Sequence, residues 1–89
     1  MNPLLDGLKV LDLSRLLPGP FCSLTLAQLG AEVIKIEEPD GGDYARELSP
    51  ELFDIVNRGK QSLTLDLRQP DDVERFKALV KDADVVLES

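Results

Sequence analysis

Two rhythms of apolar residues alternate along the chain. LKVLDL at 8–13 sets Leu8, Val10 and Asp12 against Lys9, Leu11 and Leu13, the apolar density of a strand buried on both faces. EVIKI at 32–36 reads as a second strand. SLTLDL at 62–67 puts Leu63, Leu65 and Leu67 on one face and Ser62, Thr64 and Asp66 on the other, and ADVVLES at 83–89 starts a fourth. Between the strands the spacing turns helical. Phe21, Leu24, Leu26, Ala27 and Leu29 mark an apolar helix with Pro20 in its first turn and Gly30 at its end. Val73, Phe76, Leu79 and Val80 form the buried stripe of a helix opened by Pro70, with Asp71, Asp72 and Glu74 favouring its first turn and Lys77 and Lys81 its last. Ser49 caps a short helix that starts at Pro50 and leaves through Asn57 to Gly59, and the Pro, Gly and charge of 37–49 predict a loop.

Strand, short helix, strand is a βαβ unit, which favours a parallel pair joined by a right-handed crossover. The fold class is α/β: a parallel sheet of about four strands with flanking helices, part of a domain with no internal boundary.

With 89 residues, 43% of them hydrophobic and 30% charged, the chain suits one small domain or part of a larger one. No apolar run approaches the roughly 18 residues of a bilayer span, and Met1, Asn2 and Pro3 do not open a secretory signal, so no membrane partner and a cytoplasmic location are expected. One cysteine excludes an internal disulfide, and without histidine a Cys/His metal site is implausible, so no metal is expected. Ten Lys and Arg against seventeen Asp and Glu leave a net charge of −7, which argues against nucleic acid as a partner.

In open α/β sheets ligands bind outside the carboxyl ends of the strands, which gathers Ser14 to Pro20, Glu37 to Tyr44, Leu65 to Gln69, and Ser89. The first corner lacks GxGxxG. Its Pro-Gly-Pro still aims a helix N-terminus at that edge, where free N–H groups can receive a phosphate or a carbonyl oxygen. The plainer alternative is that Gly19 and Pro20 only make a tight strand-to-helix turn.

The stretches LDGLKVLDLSRLLPGPFCSLTLAQLGAEVIKIEEPDGGDYAR, NRGKQSLTLDLRQP and DADVVLES together resemble the opening segment of the class III CoA-transferase (CaiB/BaiF) family, which includes α-methylacyl-CoA racemases. LLPGPFC and RGKQSLTLDLRQP look closer to the racemase branch than to formyl-CoA transferase. The resemblance implies a Rossmann-like domain, coenzyme A or acyl-CoA as substrate, an interlocked homodimer, and members roughly four times this length, so that the chain is the N-terminal part of such a domain. It places CoA at Leu16, Leu17 and Pro18 after the first strand, and at Leu65 and Arg68 after the third. A guanidinium at Arg68 suits a CoA phosphate, with a solvated loop arginine as the alternative. The corner LLPGP is expected to hold the pantetheine arm, with Gly19 admitting its close approach.

Two positions depart from the family pattern: Glu38 stands where some members carry an arginine, and Ser89 where formyl-CoA transferase has asparagine. Glu38 would repel phosphate. Arg58 and Lys60 flank Gly59 as solubilising cations of an exposed turn, with local attraction for an anion as the alternative. The resemblance places the catalytic Asp, and the His of racemases, beyond residue 89. Asp12 and Asp66 lack a neighbouring base and are expected to satisfy backbone donors; Cys22 is expected to be an inert buried thiol. The reading is therefore the CoA-binding portion of a CoA transferase or of a 2-methylacyl-CoA racemase acting by α-proton abstraction and reprotonation. A stand-alone binding or regulatory module is the alternative.

Overall fold

The computed structural model describes residues 4–43 and 45–88. Tyr44 and Ser89, named above at two of the corners, lie outside the described residues. The elements run β1 (Lys9–Asp12), α1 (Pro18–Gln28), β2 (Glu32–Glu37), α2 (Ala45–Leu48), α3 (Pro50–Val56), β3 (Gln61–Thr64), α4 (Pro70–Asp82) and β4 (Val85–Leu87). All four strands are parallel in the order β3-β2-β1-β4. The α/β class, with helices flanking a parallel sheet, is the one expected.

The order reverses at β1, so crossovers of one hand must run over opposite faces of the sheet. The apolar residues divide accordingly. Val10, Ala31 and Val33 pack with Leu26 and Ala27 of α1, whereas Leu11, Ile36 and Leu65 pack with Phe76 and Leu79 of α4. A fully interior strand must be apolar on both sides, which is why LKVLDL is so dense.

Local signals decide the ends of elements. After α1, Gly30 at φ 106° lets its N–H bond the Ala27 carbonyl and the Ala31 N–H bond that of Leu26, a Schellman closure. Ser49 caps α3 by accepting the Leu52 N–H at 3.2 Å.

Several expectations are corrected. The third strand ends at Thr64 rather than 67: the Asp66 carboxylate accepts the Arg68 N–H at 3.0 Å and turns the chain, leaving Leu65 buried but Leu67 exposed. Val80 lies on the rim of the α4 stripe and is exposed. The loop at 37–49 contains α2. Cys22 is exposed rather than buried, because α1 turns Pro20 and Ser23 toward the sheet and leaves Phe21 and Cys22 facing out.

Candidate functional site

The carboxyl ends of β1, β2 and β3 share one edge, and the turns after them enclose an open cleft of about 250 Å³. Ser14 and Arg15 form one wall, Glu37, Glu38 and Asp43 the second, and Leu65 to Arg68 the third.

Beneath the cleft lies a set of buried charges. Lys35 sits inside β2 with its side chain 2% exposed, and its Nζ bonds Asp43 Oδ2 at 2.9 Å and the Ser14 carbonyl at 3.0 Å. Asp43 also accepts the Leu16 N–H, at 3.0 and 3.2 Å to its two oxygens, and the Ala45 N–H at 2.9 Å. Glu37 accepts both arms of Arg46 at 2.8 Å, the Ser62 hydroxyl at 2.8 Å and the Asp43 N–H at 2.9 Å. The Arg46 guanidinium stacks 4.0 Å from the Phe53 ring centre. At the end of β1, Asp12 accepts the Ser14 N–H at 2.8 Å, the hydroxyls of Ser14 and Ser23, and Lys60 Nζ at 3.1 Å. No buried side-chain nitrogen or oxygen among the described residues lacks a partner.

These contacts hold the carboxylates ionised. The Arg46 hydrogen bonds, opposed by burial and helped by the Asp43 amide and Ser62, bring Glu37 down to about 2. Burial alone would raise Asp12 and Asp43. Ser14, Ser23 and Lys60 outweigh it at Asp12, and the Ala45 and Leu16 amides with Lys35 outweigh it at Asp43, so both lie below the usual carboxylate range. Burial pushes the Lys60 amine down against the pull of Asp12. No three His, Cys, Asp or Glu among the described residues cluster to hold a metal ion. No described helix is long and apolar enough to cross a membrane.

The model of CoA-transferase family III matches residues 5–89. The chain belongs to CoA-transferase family III. It is 47% identical to succinyl-CoA:mesaconate CoA-transferase of Haloarcula hispanica, over 96% of this chain and 24% of that protein. Against human succinyl-CoA:glutarate CoA-transferase the identity is 40%, over 96% of this chain and 21% of the other. The fold superposes on a crystal structure of a CAIB/BAIF family protein from Brucella suis with a TM-score of 0.92 and 43% identity, covering 99% of this chain and 26% of that one. The chain therefore spans about a quarter of the length of the curated relatives it matches.

Within this family III segment, Leu65 and Arg68 line the cleft, Leu65 only 4% exposed and Arg68 at the rim. Leu16, Leu17 and Pro18 continue the β1 turn beyond the cleft's lining, with Leu16 40% and Leu17 45% exposed. Three of the earlier expectations change. Two prolines in the first turn of α1 strip it of donors, leaving Gly19 with the one N–H among its first three residues, so the helix start is a poor phosphate receiver. A Cβ on Gly19 would fall 2.2 Å from Ser14 Cβ, so the close approach that glycine admits here is internal. Lys60 is 1% exposed on Asp12 and is no solubilising cation, whereas Arg58 remains exposed.

Asp12 and Asp66 do satisfy backbone donors, at Ser14 and Arg68. The pattern of the sequence does not mark Lys35, Asp43, Arg46 and Glu37 as a network. The available signal was Lys35 between Ile34 and Ile36: a lysine inside a buried strand requires an anion.

Proposed function

We propose that the chain is the CoA-binding portion of an enzyme that transfers CoA from an acyl-CoA to a free carboxylic acid. The observation that carries this reading is the convergence of three strand-end turns on one open cleft in a family III segment. Exposed Leu16 and Leu17, just beyond the cleft's lining, offer apolar contact to the pantetheine arm, and Arg68 at the cleft rim offers paired donors to a phosphate. The buried charges brace the walls, and the groups that attack the thioester are assigned to the rest of the polypeptide. Exposed Phe21, Leu48 and Ile55 support a partner subunit in an interlocked homodimer. A cytoplasmic location is part of the same reading.

Transfer is favoured over α-carbon racemisation because relatives across archaea, bacteria and mammals carry CoA-transferase names with dicarboxylate acceptors. The complete enzyme, given succinyl-CoA and a panel of dicarboxylic acids, should form a new CoA thioester and free succinate. Deuterium exchange at the α carbon of a 2-methylacyl-CoA without transfer would replace this reading with the racemase, and CoA binding with neither reaction would leave a binding module.

A further inference from the structure

Leu16 is the one non-glycine residue with a left-handed backbone among the described residues, at φ 65°. A leucine pays a steric penalty there, so the surroundings must impose the conformation. Prolines cannot do so: Pro18 and Pro20 lie after it and restrict their own φ and the residue preceding each. The restraint comes from elsewhere in the sequence. Asp43 takes the Leu16 N–H at 3.0 Å, and Lys35, paired with Asp43 at 2.9 Å, takes the Ser14 carbonyl at 3.0 Å. The turn is thus gripped on both sides of Arg15, at one carbonyl and one amide, by two side chains at most 2% exposed.

The far end of the grip is equally determined. The Asp43 N–H bonds Glu37 Oε1 at 2.9 Å, and Glu37 is fixed by Arg46 and Ser62. A shift of the loop at 38–43 therefore moves the corner after β1 as well.

We infer that Lys35 and Asp43 are positioning residues for CoA: they set Leu16 in its left-handed turn and so aim Leu16 and Leu17 at the ligand. The inference rests on the reading of this corner as the pantetheine site. With at most 2% of either side chain exposed, the pair acts through the backbone of residues 14–16. Its geometry makes CoA affinity depend on two residues of the second strand and its loop.

The test uses the complete enzyme with Lys35→Met/Asp43→Leu, which removes both buried charges together and so leaves neither unpaired. Leu17→Asp serves beside it, since aspartate is a good residue at that helix-capping position yet presents a charge to an apolar arm. KM for the acyl-CoA donor, kcat and the thermal midpoint are measured for each. The pair variant should raise KM about tenfold with kcat within twofold, and Leu17→Asp should raise KM too. A merely structural pair would lower the midpoint and the active fraction while leaving KM alone. An unchanged KM in the pair variant beside a raised KM in Leu17→Asp overturns the positioning role and spares the corner. An unchanged KM in both overturns the corner reading and this inference with it. Should the double variant fail to fold, Asp43→Asn is measured instead. It keeps one acceptor oxygen but turns an amide toward Lys35, and should raise KM about threefold; an unchanged KM overturns the inference.

Discussion

Lys60 reaches from the turn after α3 to place its Nζ 3.1 Å from Asp12 Oδ2, with the two side chains 1% and 0% exposed. The same ammonium holds the Pro20 carbonyl at 3.0 Å and Asn57 Oδ1 at 2.7 Å, so it ties the end of β1 to α1 and α3. Breaking a buried pair from one side leaves an uncompensated charge, which typically costs about 3–5 kcal/mol. Lys60→Met should lower stability on that scale in urea unfolding of the complete protein, and Lys60→Met/Asp12→Asn should recover a large part. A double variant no more stable than the single would show that Lys60 acts through the carbonyl and Asn57 instead.

Gly19 and Ser14 give a second prediction about the fold. A methyl at residue 19 would collide with the buried Ser14 side chain, whose hydroxyl is committed to Asp12. Gly19→Ala should therefore destabilise by about 1–3 kcal/mol, the usual range for overpacking, and Ser14→Gly should restore part of the loss in a double variant. Calorimetric melting of the four proteins decides it. Equal melting of wild type and Gly19→Ala would mean that the turn yields at little cost.

The contrast between Gly30 and Gly19 marks the reach of sequence reasoning. The role of Gly30 depends on a helix pattern that ends beside it, and Ser49 caps α3 from three residues away. Both are local and legible. Gly19 reads as a ligand approach because nothing in PGP shows that Ser14 folds back beneath it. Lys60 meets a partner 48 residues away, and that pairing exists only once β2 and β3 align in register. Leu67, Phe21 and Val80 are exposed for a related reason: period identifies a face, whereas burial requires something to cover it. At the cleft, the turns after β1, β2 and β3 follow from the strand pattern, but the braces beneath them come from a strand lysine and a loop aspartate whose pairing the pattern does not encode.

Glu37 makes stability depend on acid. Its carboxyl is held at about 2 against an ordinary 4.5, so the contribution is complete above pH 4.5 and is lost as the pH falls toward 2. Because Arg46 is 44% exposed, solvent screening reduces the effect to about 2 kcal/mol. Glu37→Gln should be less stable than wild type by about that much at pH 7, and the gap should close between pH 4.5 and 2. A gap that stays constant over this range would assign the loss to packing.

The 89-residue chain by itself presents Phe21 at 58%, Leu48 at 76%, Ile55 at 53% and Val86 at 48% exposure. Its edge strands β3 and β4 each have one unpaired side, and α4 contains no fully buried residue. Such surfaces favour association. Sedimentation should show concentration-dependent oligomers with a broad thermal transition. A compact monomer that melts cooperatively would contradict this.

If Arg68 receives a CoA phosphate, it does so with a competitor in place. Its guanidinium bonds Asp66 at 2.9 and 3.3 Å and lies 3.8 Å from Asp40, with the side chain 75% exposed. A phosphate must displace part of that pairing in high dielectric, so the net gain falls at the low end for a charge-assisted bond. In the complete protein Arg68→Ala should weaken CoA about fivefold by calorimetry. Asp66→Asn keeps an acceptor for the Arg68 N–H while releasing the guanidinium, and should tighten CoA by a similar factor. The opposite signs are the diagnostic. If both variants leave the dissociation constant unchanged, Arg68 serves only to turn the chain from β3 into α4, and the phosphate is held elsewhere.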